Sequence, residues 1–131
     1  MNEVAQYAEL IKPDWAPPAF LFGPVWAVLY IIIAISFGLV FYKAFRKQLS
    51  FFIALPFGLN LIFNFLFTPL QFGLQNNLLA SIDIILVLIT LAWAMIVIYR
   101  RIRWIALVNI PYFFWVCFAT ALQLTITWLN W

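Results

Sequence analysis

Four apolar runs, at about residues 19–42, 51–70, 78–99 and 104–129, leave this chain little choice of fold. Crossing ~30 Å of hydrocarbon takes about 20 helical residues, and each run is long enough. Hydrophobicity is continuous along each run rather than alternating, which excludes the strands of a membrane barrel. The 131 residues are 68% hydrophobic and 8% charged, where a soluble domain has ~45–50% and ~25%. The expectation is an all-α integral membrane bundle: one domain over residues 1–131 with four transmembrane helices. The links KAFRKQLS, QFGLQNN and RRIR are short, so consecutive helices should be antiparallel neighbours.

The charges orient the bundle. Lys43, Arg46 and Lys47 follow the first run, and Arg100, Arg101 and Arg103 follow the third. Basic residues favour the cytoplasmic side of membrane helices. Residues 43–49 and 100–103 are therefore expected to be cytoplasmic, with both termini and the 71–77 link on the outer side. The net charge of +3 is no nucleic-acid signal, because its cations sit at helix ends. The first 18 residues lack the basic start of a cleavable signal peptide. The chain has no histidine and one cysteine, Cys117. It therefore has no internal disulfide and lacks the commonest general base and metal ligand. No metal site and no cofactor are expected.

Polar side chains inside the spans are the next constraint. Counting inward from the outer side at ~1.5 Å per residue, Trp26, Asn64, Asp83 and Gln123 reach a common depth of about 10 Å. Tyr30, Asn60 and Ala119 come one turn deeper, and Tyr112 and Trp115 deeper still. Asp83 is the sole acid within a span. A carboxylate there is costly unless paired, neutralised or hydrated, so it is either a functional group or a helix–helix hydrogen-bonding one. Asn60, Asn64 and Thr68 recur every four residues and share a helix face. They read equally as interhelical bonds at the rim and as part of a pocket at the centre.

Trp15, Trp104, Trp128 and Trp131 lie at the expected interfaces, where an aromatic belt accounts for such residues. Trp26, Trp93 and Trp115 lie deeper and suit either core packing or stacking on a flat ligand. Residues 12–18, before the first run, read KPDWAPP. Proline limits the conformations of that segment, so we read it as a lid whose closure loses little entropy. Trp15 within it joins the candidate ligand-binding residues. Ser50, Ala54 and Gly58, at four-residue spacing, predict a close helix contact, within the chain or across a homodimer, with Pro56 loosening the same helix.

These segments also resemble a known family, the translocator proteins, also called tryptophan-rich sensory proteins or peripheral benzodiazepine receptors. KPDWAPPAFLFGPVWAVLY resembles that family's K-P-x-W-x-P-P…G-P-V-W-x-x-L-Y block. LNLIFNFLFTPLQFG and the Asp of SIDIILV match in type and place. PYFFWVCFATALQ resembles P-Y-x-x-W-x-x-F-A-x-x-L-N. The resemblance implies a helical membrane fold, commonly homodimeric, with a ligand cavity beneath the lid. It implies binding of tetrapyrroles such as protoporphyrin and haem, as ligands rather than cofactors, and of sterols. It carries pocket positions onto Trp26, Asn64, Phe67, Leu79, Asp83, Trp115, Ala119 and Leu122, and Tyr30 with Phe67 completes the expected aromatic walls. The family has five membrane helices; this sequence begins where the first of them has ended. Phe65 and Phe67 stand where the family has tryptophans, and LTITWLNW lacks its proposed sterol motif.

The leading functional expectation is a protein of a bacterial cell membrane that binds, senses or sequesters a flat tetrapyrrole, with lipid around it. One alternative is a light-dependent porphyrin-degrading enzyme acting through Trp26 and Trp115. A second is a small porphyrin or sterol transporter. No residue set for conventional catalysis supports the enzyme, and no internal repeat supports the transporter.

Overall fold

The computed structural model describes residues 14–16, 21–70, 74 and 76–129. Of the expected lid, residues 14–16 are described; Lys12, Pro13, Pro17 and Pro18 lie outside the described residues. Among the described residues the chain forms five helices: α1 (Phe22–Phe45), α2 (Phe51–Thr68), α3 (Asn77–Tyr99), α4 (Arg103–Val108) and α5 (Ile110–Leu129). The fold is the all-α membrane bundle expected. Three segments, Gly23–Phe45, Asn77–Tyr99 and Ile110–Leu129, are long and apolar enough to cross a membrane. α2 is shorter, at 18 residues, about 27 Å of helix.

Local chemistry starts and stops these helices. The Ser50 hydroxyl accepts from the Phe52 N–H at 3.2 Å, and Asn76 Oδ1 accepts from the Leu79 N–H at 2.9 Å. Both are side-chain caps that satisfy a first-turn donor. α2 continues through Pro56, which is fully buried. The expected fourth span, 104–129, is two helices rather than one. Pro111 has no N–H to give the Leu107 carbonyl, and its ring crowds that carbonyl. The helix therefore ends at Val108 and restarts at Ile110. Asn109 spans the break: its N–H reaches the Ala106 carbonyl at 3.2 Å and its carbonyl accepts from Phe113 at 2.9 Å. Its side-chain amide donates to the Ile105 carbonyl at 2.8 Å and to the Ser36 hydroxyl of α1 at 3.0 Å.

The central helix is α3, which packs on α2, α4 and α5, while α1 packs on α2 and α4. The core stripe of α1 is Leu29, Ile33, Phe37, Val40 and Ala44, at helical spacing. Val28, Ile31 and Ile35 are equally apolar but exposed, as befits a lipid-facing side. Gly58 faces the Phe41 ring of α1, 4.0 Å from where a Cβ would stand. Of the small-residue stripe, Gly58 thus meets α1 within the chain, Ala54 is buried, and Ser50 is the exposed cap of α2. α1 and α5 stand apart, with no extended backbone contact.

Candidate functional site: an aromatic cleft over a polar centre

Tyr112 of α5 reaches into the middle of the bundle and is fully buried. Its hydroxyl donates to Asn60 Oδ1 at 2.9 Å and accepts from Asn64 Nδ2 at 2.8 Å. Asn60 also donates to the Val87 carbonyl at 3.0 Å and the Thr90 hydroxyl at 3.2 Å. Asn64 Oδ1 accepts from the Tyr30 hydroxyl at 3.4 Å. One connected network thus ties α1, α2, α3 and α5. Lipid is as apolar as the helix surfaces, so burial alone does not join helices in a membrane. Such bonds average ~0.6 kcal/mol each, beside van der Waals packing. The asparagine stripe is therefore interhelical bonding, and it forms the base of the site as well. The Thr68 side chain lies outside the described residues.

A second polar group sits toward the Asn77 end of α3 and the Leu129 end of α5. Ser81 and Thr127 share a hydrogen bond of 2.5 Å. Gln123 donates to the Thr127 hydroxyl at 3.2 Å. Asp83 is 3% exposed and occupies the face of α3 that bears Val87 and Thr90, about a turn farther out. Its Oδ2 has no hydrogen-bond partner among the described residues.

Above the polar centre runs a chain of rings. Trp15 meets Phe118 edge to face at 5.7 Å between centroids, and Phe118 meets Trp115 at 5.7 Å. Trp115 meets Trp26 at 6.5 Å, and Trp26 meets Tyr30 at 5.3 Å. Trp26 also touches Tyr112, at 6.4 Å. These rings fill part of the gap between α1 and α5. The remainder is an open, apolar groove of about 570 Å³ lined by Pro24, Val25, Val28, Leu29, Pro111, Phe114, Trp115 and Phe118. That volume falls within the ~300–1,000 Å³ of small-molecule sites.

The structure therefore brings together Trp15, Trp26, Tyr30, Asn64 and Trp115 from the expected set. Phe67 and Ala119 are half-buried against the core. Leu122 is buried, and Leu79 is exposed at the start of α3. The Trp26 ring touches those of Tyr112 and Trp115. The groove lining adds Phe114 and Phe118, which sequence reading passed over. Pro111, Phe114, Trp115 and Phe118 do carry a signal: their spacing of three, four and seven defines one helix face.

An all-helical membrane bundle with an apolar, ring-lined cleft beside a buried polar network defines a class: a small helical integral membrane protein. The chain belongs to the TspO/MBR family, which it matches over residues 1–129. It is 38% identical over 124 residues to the tryptophan-rich protein TspO of Bacillus cereus, covering 95% of this chain and 80% of that one. Protein CrtK of Rhodobacter capsulatus is 35% identical over 128 residues, covering 96% and 79%. The human translocator protein is 32% identical over 123 residues, covering 89% and 70%.

Proposed function

We propose that the protein binds a flat, hydrophobic tetrapyrrole, protoporphyrin or haem, in the cleft between α1 and α5, and acts in sensing or sequestering it. The observation that carries this reading is the run of rings from Trp15 through Phe118, Trp115 and Trp26 to Tyr30, bordering an open apolar groove. Indole and phenyl faces stack on an extended π-system, and the groove wall takes up the ring's apolar edge. Behind the rings, the Asn64 amide bonds the Tyr30 and Tyr112 hydroxyls and so holds Tyr30 in place. The Trp15 ring, against Phe118, borders the cleft. Names borne by relatives, a sensory protein in Cereibacter sphaeroides and a translocator protein in humans, accord with a ligand-handling role. We further propose that the basic links face the cytoplasm of a bacterial cell and that the protein forms a homodimer, as its family resemblance implies. The deciding experiment titrates purified protein with protoporphyrin and follows tryptophan fluorescence. Saturable quenching at one ligand per chain is expected. Quenching that rises linearly without saturation would rule the cleft out as a binding site.

A further inference from the structure

The basic end of the bundle carries chemistry that ligand binding leaves unused. Six cations gather there, whereas the chain's acids are Glu3, Glu9, Asp14 and Asp83. Asp14 precedes α1 at the opposite end. Asp83 lies in the second turn of α3, about 24 Å along the helix from Tyr99. No side-chain carboxylate at this end of the described chain answers the cations.

The two basic links are also drawn to one level. The Ser36–Asn109 hydrogen bond of 3.0 Å joins α1 to the junction of α4 and α5. Lys43 lies two turns beyond Ser36, and Arg103 a little under two turns before Asn109. Both therefore stand about 9–10 Å toward the basic end from that bond. Two of the cations are held on rings: Arg46 over Tyr42 at 5.9 Å and Arg103 over Tyr99 at 5.0 Å. A guanidinium over an aromatic ring has its position restrained while its N–H donors remain available for a phosphate. Phe45, Phe51, Phe52 and Trp104 are exposed around the same end. Cations and bare aromatic groups thus alternate where headgroups meet acyl chains.

We propose that this end is a binding surface for anionic phospholipid, with Lys43, Arg46 and Arg103 engaging the headgroup phosphate and the neighbouring rings taking the upper acyl chain. A soluble phosphate would use the donors alone and leave those rings without a role. The proposal depends neither on the tetrapyrrole reading nor on which leaflet is engaged.

The test compares spin-labelled phosphatidylglycerol and phosphatidylcholine bound to the full-length protein in mixed micelles. Phosphatidylglycerol should be preferred roughly fivefold at low salt, and less at high salt. Lys43→Gln/Arg46→Gln/Arg103→Gln, which alters partly or fully exposed side chains, should bring the preference to about one with unchanged helical circular dichroism. Equal binding of the two lipids by the unaltered protein overturns the proposal, as does an undiminished preference in the triple variant. Tyr42→Leu/Tyr99→Leu keeps every charge and removes the stacking. It should lose at least half of the preference, and full retention would mean diffuse attraction and no site. Displacement of the lipid by inorganic phosphate at equal concentration would reassign the surface to free anions and sink the lipid reading.

Discussion

A single phenol holds the centre of this bundle. Tyr112 stands between Asn60 and Asn64, fully buried, with bonds of 2.9 and 2.8 Å. Tyr112→Phe removes both bonds and leaves an amide donor and a carbonyl acceptor without their partner. At ~0.6 kcal/mol per bond plus part of a desolvation penalty, the loss should be about 1–2 kcal/mol. Thermal unfolding in mild detergent should show it as a lower midpoint, and an unchanged midpoint would mean that water replaces the hydroxyl. Trp26 and Trp115 face each other at 6.5 Å across the cleft. Leucine at either position keeps part of the apolar contact and loses the stacking, worth ~0.5–1.5 kcal/mol. Protoporphyrin affinity should fall on the order of tenfold. Trp104, exposed at the basic end, should change it less than twofold when made leucine. Asp83→Leu should alter affinity more than folding; normal binding with a destabilised bundle would assign Asp83 to helix packing.

Among the elements, α4 and α5 are separated by Asn109 alone. Where the ladder is interrupted, the Asn109 side chain donates to the Ile105 carbonyl, which the Asn109 N–H leaves for that of Ala106, and to the Ser36 hydroxyl. In hydrocarbon a freed carbonyl has no water to turn to, so such side-chain substitution is what makes a broken span tolerable. Asn109→Leu should therefore destabilise the protein by about 1–3 kcal/mol. Amide exchange should quicken for residues 105–113 while that of α3 stays slow. Uniform quickening would show that α4 and α5 do not open separately from the rest.

At the scale of the molecule, sidedness is the open quantity that charge alone addresses. In a Cys117→Ala background, Leu74→Cys should react with an impermeant thiol reagent from outside intact cells, and Gln48→Cys only after lysis. Both positions are exposed, so the reverse pattern would invert the topology. The expected pattern would put the proposed ligand cleft toward the outer side and the proposed lipid surface at the inner one.

The sequence by itself determined the helices, because length and continuous hydrophobicity are local properties that hydrocarbon enforces on every residue. It also determined the polar chemistry of the interior: Asn60, Asn64, Asp83 and Gln123 are all buried, and a polar group in a span has to find the bundle's inside. The Asn109–Pro111 break was written in the chain as well, but continuous hydrophobicity masked it. Tertiary structure alone decided who meets whom. Trp26 meets Trp115 and Tyr112, Tyr112 stands between two asparagines, and the groove opens between α1 and α5. In a soluble protein the polar face of each helix would have announced its rotation. Here the lipid-facing side is as apolar as the core, so no hydrophobic contrast orients the helices. Their rotation and tilt come from packing between whole side-chain surfaces, which no spacing along the chain encodes.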